Sequence, residues 1–127
     1  MKILLSICFV FMILCTNFAL AGWKQIASSS KVDVYVNTSD SNKTNGVAKA
    51  WVLIDHQEVQ VEAGDHYLSS MGEWEFVCQE KAQRQVFHVI FSGHMGGGRT
   101  IWSGPVQRDF HRIAPGTAPE LVYNMVC

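Results

Sequence analysis

The chain has 127 residues, with 10 Lys/Arg against 11 Asp/Glu and a net charge of −1. Charges of both signs are scattered without a like-charged run, which argues against a nucleic-acid or polyanion partner. A content of 48% hydrophobic and 11% aromatic residues is incompatible with disorder, and the length allows one domain with a sizeable core.

Met1-Lys2 opens an apolar run that reaches Cys15, interrupted only by Ser6 and followed by Ala19-Leu20-Ala21. One positive charge, an apolar centre and a small-residue end predict a secretory signal over residues 1–21, cleaved before Gly22. A membrane anchor needs about 20 predominantly apolar residues, and Thr16 and Asn17 break this run first. Lipidation at Cys15 is disfavoured because Leu14 is too bulky for the position before a lipidated cysteine. Residues 22–127 are therefore expected outside the cytoplasm, in the periplasm, at the cell surface or secreted, with no transmembrane segment after cleavage. Only Cys78 and Cys127 remain in that part. Two cysteines in an oxidising compartment permit one intramolecular pairing, a Cys78–Cys127 disulfide.

Val32, Val34 and Val36 alternate with Asp33, Tyr35 and Asn37, the period of a half-buried strand. Residues 38–45 are polar and end at Asn45-Gly46, a turn dipeptide. A second strand follows over residues 47–55, with Ala50, Val52 and Ile54 on one face and Trp51 and Leu53 on the other. Residues 56–65 read as a short strand or a loop. The next strand is clearest from Glu73, where Trp74, Phe76 and Cys78 oppose Glu73 and Glu75. Residues 85–92 alternate likewise, and a glycine-rich turn, residues 93–98, leads to Thr100-Ile101-Trp102. Short strands separated by turns predict a mainly antiparallel sheet.

The C-terminus changes period. Thr117 reads as an N-cap, Pro119 lies in the first turn, and Glu120 completes a capping box. Ala118, Leu121, Val122 and Met125 then share one helical face. A helix this short needs a docking surface, and bonding Cys127 to Cys78 would pin it over Trp74 and Phe76. Because Cys127 falls nearly opposite the predicted stripe, the helix is expected to unwind before it.

Trp23, the Val32–Val36 alternation, Trp51, Tyr67-Leu68-Ser69-Ser70 and Glu75-Phe76-Val77-Cys78 form a wider pattern. With Phe110-His111-Arg112-Ile113-Ala114-Pro115-Gly116-Thr117, Glu120-Leu121 and Val126-Cys127, it resembles the surface-adhesin protein E family of bacterial exported proteins across residues 22–127. The resemblance implies an α+β domain: a curved, mainly antiparallel sheet of about six strands, with a C-terminal helix disulfide-tethered to a face. It implies a non-enzymatic protein-binding module, with host extracellular-matrix proteins or other envelope proteins as partners, or a homodimer. The alternative is a periplasmic or envelope accessory protein with no host ligand.

Sites for chemistry are sparse. Residues 93–100, Gly-His-Met-Gly-Gly-Gly-Arg-Thr, approach a phosphate-binding loop with Arg99 in place of lysine. That motif needs a following helix, and a strand is predicted there, so a flexible hairpin turn is the better reading. His56, His66, His88, His94 and His111 show no metal-ligand spacing, His94 with Met95 being the nearest candidates. No Gly-x-Ser-x-Gly nucleophile motif occurs, and bridged cysteines are poor nucleophiles. No catalytic, cofactor or metal residues are assigned. Carboxylates Glu73 and Glu75 read as a solvated edge, and apolar side chains such as Trp51, Leu53, Val86 and Ile90 are expected to leave an exposed patch on the face the helix does not cover. Intact-mass measurement should find an unlipidated protein beginning at Gly22; a diacylglycerol-modified species beginning at Cys15 would contradict the cleavage site.

Overall fold

The computed structural model describes residues 22–127, with backbone alone at residues 38–41. The expected signal and Cys15 lie outside the described residues. Strands β1 (Trp23–Ser28), β2 (Val32–Thr44), β3 (Val47–Glu62), β4 (Asp65–Val77), β5 (Ala82–Phe91), β6 (Thr100–Pro105) and β7 (His111–Arg112) precede one helix, α1 (Ala118–Val126). The first six pair with their sequence neighbours in one antiparallel meander, and β7 pairs with the start of β5.

Two hairpins explain the length of the central strands. Asn45 and Gly46 have φ of 53° and 76°, and Ala63 and Gly64 have 50° and 84°. Positive φ at both central residues matches the right-handed twist of a two-residue hairpin. The polar residues before Asn45 continue β2 across a register break between Asn37 and Asn42. Residues 56–62, ambiguous in sequence, complete β3 and pair with the start of β4. Strand β1 carries too little alternation to be read from sequence. Each of the five ladders from β1 to β6 holds one register break. A bulge bends its strand and increases local twist, so the breaks curve the sheet.

Strand register sorts the side chains. On the concave face, Val34 pairs with Ile54, Val36 with Val52, Ala50 with Trp74 and Ala48 with Phe76. Val34, Val36, Ala48, Ala50, Val52 and Phe76 are buried there with Ile113 and Val122. The fully buried Ala48 and Ala50 leave room for a helix backbone, and α1 packs over β1, β2 and β3. On the convex face, Trp51 meets Phe87 edge-on with centroids 5.8 Å apart.

The helix docks through a different stripe from the predicted one. Val122 is fully buried, whereas Leu121 and Met125 are 43% and 39% exposed. Ala118, Tyr123 and Val126 pack beside Val122. Two attachments rotate the helix this way. Cys127 is bonded to Cys78, their Cα atoms 5.5 Å apart, and the Tyr123 hydroxyl donates to the Cys78 carbonyl at 2.6 Å. Tyr123 and Cys127 are one turn apart, so both face Cys78. The helix accordingly does not unwind before the cysteine: the Cys127 N–H still donates to the Tyr123 carbonyl at 2.9 Å.

The N-terminal cap also differs. Thr117 stands at the N-cap without a side-chain cap bond, and its hydroxyl donates back to the Ala114 carbonyl at 2.7 Å. Glu120 accepts from the Gly116 N–H at 3.3 Å and from Lys81 Nζ at 2.9 Å. The Lys81 hydrogen bond, followed by that from Gly116, holds the Glu120 carboxyl below its usual range.

Cys78→Ser or Cys127→Ser should each destabilise the domain by about 2–5 kcal/mol, with the double variant little worse, because both remove one bond. Val122→Ala should cost about 2 kcal/mol, while Leu121→Ala should stay within about 0.5 kcal/mol. Denaturant titration of the variants measures both differences.

Candidate functional site

Because α1 lies over β1 to β3, the other half of the concave face stays open. A groove of about 350 Å³ runs there, floored by Val52, Ile54, Ser70 and Gly72. His56 and Tyr67 stand at one end, Trp74, Gln83, Gln85 and His88 along the sheet, with Arg108 on the segment after β6 and His111 in β7. An adjoining hollow of about 180 Å³ shares His88 and Arg108 and adds Ile90, Trp102 and the β3–β4 hairpin end at Glu62 and Asp65.

Gly72 keeps the groove floor low. A Cβ there would collide with Gln85 Nε2 and lie 2.9 Å from Trp74 Nε1, so a larger residue would displace the groove wall. The polar groups are oriented by one another. Gln85 Nε2 lies 3.0 Å from His88 Nδ1, and His88 Nε2 lies 3.5 Å from Glu62 Oε2. Gln83 Nε2 lies 3.2 Å from His111 Nε2. Gln83 Oε1 is buried without a partner, a condition native proteins rarely leave unexplained.

Tyr67 and His56 meet edge-on with centroids 5.8 Å apart. Burial lowers the His56 pKa, partly opposed by the Asp55 carboxylate. Burial also raises the Tyr67 pKa, with Glu62 adding to the effect, so its hydroxyl remains a donor. The site thus offers imidazoles, amides, an indole, a phenol and one guanidinium around an apolar floor. Such a set binds and orients polar groups. Among the described residues no group of three or more His, Cys, Asp or Glu is placed to hold a metal ion.

The glycine-rich turn lies on the opposite, convex face and is firmly fastened. Met95 N–H donates to Asp55 Oδ1 at 2.9 Å, and His94 Nδ1 lies 3.1 Å from the same oxygen. Ser69 Oγ accepts from the Gly96 N–H at 2.9 Å and donates to the Gly93 carbonyl at 2.6 Å. The Met95 and Gly96 N–H groups that would cradle a phosphate are therefore used internally, and Thr100 begins a strand. Gly96, at φ 73°, sits so close to Met71 Cε that a Cβ would approach it to 2.8 Å.

The exposed patch expected on the uncovered face is corrected by this loop. Leu53 is 2% exposed beneath it, and His88 and Ile90 belong to the concave face, in line with Gly104 and Trp102. His94 serves Asp55, His66 lies exposed in the hairpin, and His56, His88 and His111 converge on the groove. Sequence reading missed this convergence: it set Val86 and Ile90 on the face away from Trp74, and the register break between Glu73 and Trp74 brings His88 and Ile90 onto the Trp74 face.

A profile of the family described as surface-adhesin protein E matches residues 23–127. No curated protein matches the chain. The crystal structure of Haemophilus influenzae protein E superposes with a TM-score of 0.63 at 12% identity, covering 84% of each chain. Its second crystal form gives 0.65 at 12% identity over 84% of this chain and 87% of that one. Protein E from non-typeable H. influenzae gives 0.55 at 15% identity over 84% and 76%. At such identity these structures establish the common fold: an open, curved antiparallel sheet with a C-terminal helix.

The lowered His56 pKa has a measurable consequence. The folded state disfavours the charged imidazole, so its contribution is intact above the ordinary 6.5. It is lost progressively as pH falls from there through the lowered native value. NMR titration should place His56 below 6.5, and His56→Gln should flatten the acid limb of stability between those two pH values. The profile match over residues 23–127 places the chain in the surface-adhesin protein E family.

Proposed function

We propose that the protein is exported by its N-terminal signal and acts as an adhesin-like, non-enzymatic module that binds other proteins outside the cytoplasm. Family membership supports the adhesin-like, surface-exposed reading. The observation that carries the binding role is the half-open concave face. Trp102 is 43% exposed beside the groove, and Val59 and Val61 are 54% and 63% exposed on the hairpin that bounds it. Exposed apolar groups rimmed by polar ones mark protein contacts, and aromatic anchors carry much of such binding. Among the described residues no helix is long and apolar enough to cross a membrane.

The partner would be a host extracellular-matrix protein or another envelope protein. Protease applied to intact cells should cleave the domain, and purified protein should bind immobilised laminin or vitronectin. Trp102→Ser should weaken that binding about tenfold or more, and light scattering tells whether a monomer or a homodimer binds. Protection of the domain on intact cells would favour an accessory envelope role instead.

A further inference from the structure

We propose that the concave groove is a binding site for a small organic carboxylate, an acid with an apolar or aromatic body and an N–H donor nearby, about the size of an N-acylated amino acid. The proposal goes beyond the adhesin reading and stands or falls separately from it.

Charge comes first. Among the described residues no carboxylate lines the groove, whereas Arg108 and three imidazoles do. The acidic groups near it stand outside: Glu62, half exposed on the rim, faces His88 Nε2, Asp65 lies beside it at the hairpin end, and Asp55 acts on His56. A guanidinium can take a carboxylate through two parallel hydrogen bonds, which fixes orientation as well as position. Further donors are already in place: the indole N–H of Trp74, the phenol of Tyr67 and the amide of Gln83.

The floor fixes the rest of the ligand. Ile54 and the Trp74 ring offer apolar surface, and a volume of about 350 Å³ falls in the range of small-molecule sites, about 300–1,000 Å³. Gln83 Oε1 is buried without a partner, so a ligand amide N–H near the carboxylate reaches it once the side chain gives up its contact with His111 Nε2 and turns into the groove. Acid, amide and apolar body together describe an acylated amino acid rather than phosphate or a sugar.

The test uses the purified, disulfide-bonded protein with N-acetyl-L-phenylalanine as the probe and its neutral carboxamide as the control, followed by ¹⁵N NMR. Saturable shifts should appear at the Trp74 indole and the Gln83 and Gln85 side-chain amides, with dissociation in about the millimolar range. The acid should bind about tenfold more tightly than the amide, and Arg108→Gln should remove that advantage. Arg108 is exposed, so its variant should keep the native spectrum, and Arg99→Gln, outside the groove, should bind like the parent. Equal affinity for acid and amide, undiminished binding by Arg108→Gln, or no saturation at about 10 mM probe would overturn the proposal.

Discussion

A helix of nine residues does not persist in water by itself, so whatever α1 covers depends on its attachment to Cys78. The disulfide and the adjacent hydrogen bond from Tyr123 hold the same residue from two sides. Lys81 adds a third contact, bonding Glu120 and lying 5.8 Å from the centre of the Tyr123 ring. These attachments settle the helix rotation, hence the burial of Val122 and the exposure of Leu121. They also fix its position over β1 to β3, which leaves the half of the sheet containing Trp74 and His88 uncovered. Closure of the core and openness of the groove have the same cause.

Strand β3 is the other point of convergence. Val52 and Leu53, adjacent in sequence, are 1% and 2% exposed. The first is covered by the concave core, the second by the glycine-rich turn. A single-layer sheet ordinarily leaves one face to water; here a loop performs on the convex side what the helix performs on the concave side. Asp55 and Ser69 make that possible, because buried polar groups on neighbouring strands satisfy loop N–H groups that would otherwise lack partners.

Much of this was legible in the sequence, for identifiable reasons. Alternation in residues 32–36 and 73–78 reports local geometry, and two cysteines allow one pairing. The antiparallel sheet and the tether follow from these. The helix face was not legible, because Leu121 and Met125 satisfy the same periodicity as Val122, and the choice is made by Tyr123 reaching a carbonyl 45 residues away. The extent of β2 and β3 was hidden by their polar composition, since long exposed ends pair through backbone rather than side-chain burial. The groove was least legible. Its walls come from β3, β4, β5, the segment after β6 and β7, and only the three-dimensional return of the chain to β5 brings Arg108 and His111 to the same groove as His56.

That return separates two demands that proteins often have to reconcile. Arg108 and His111 are exposed and contribute nothing to the buried core, and residues 106–110 lie outside the strand ladders. Substitutions there can therefore accumulate with little effect on folding, whereas Ala48, Ala50, Gly72 and Gly96 are confined by their neighbours. The composition of this rim can thus change while the architecture persists. A structure only 12% identical accordingly keeps the architecture while its rim is free to differ.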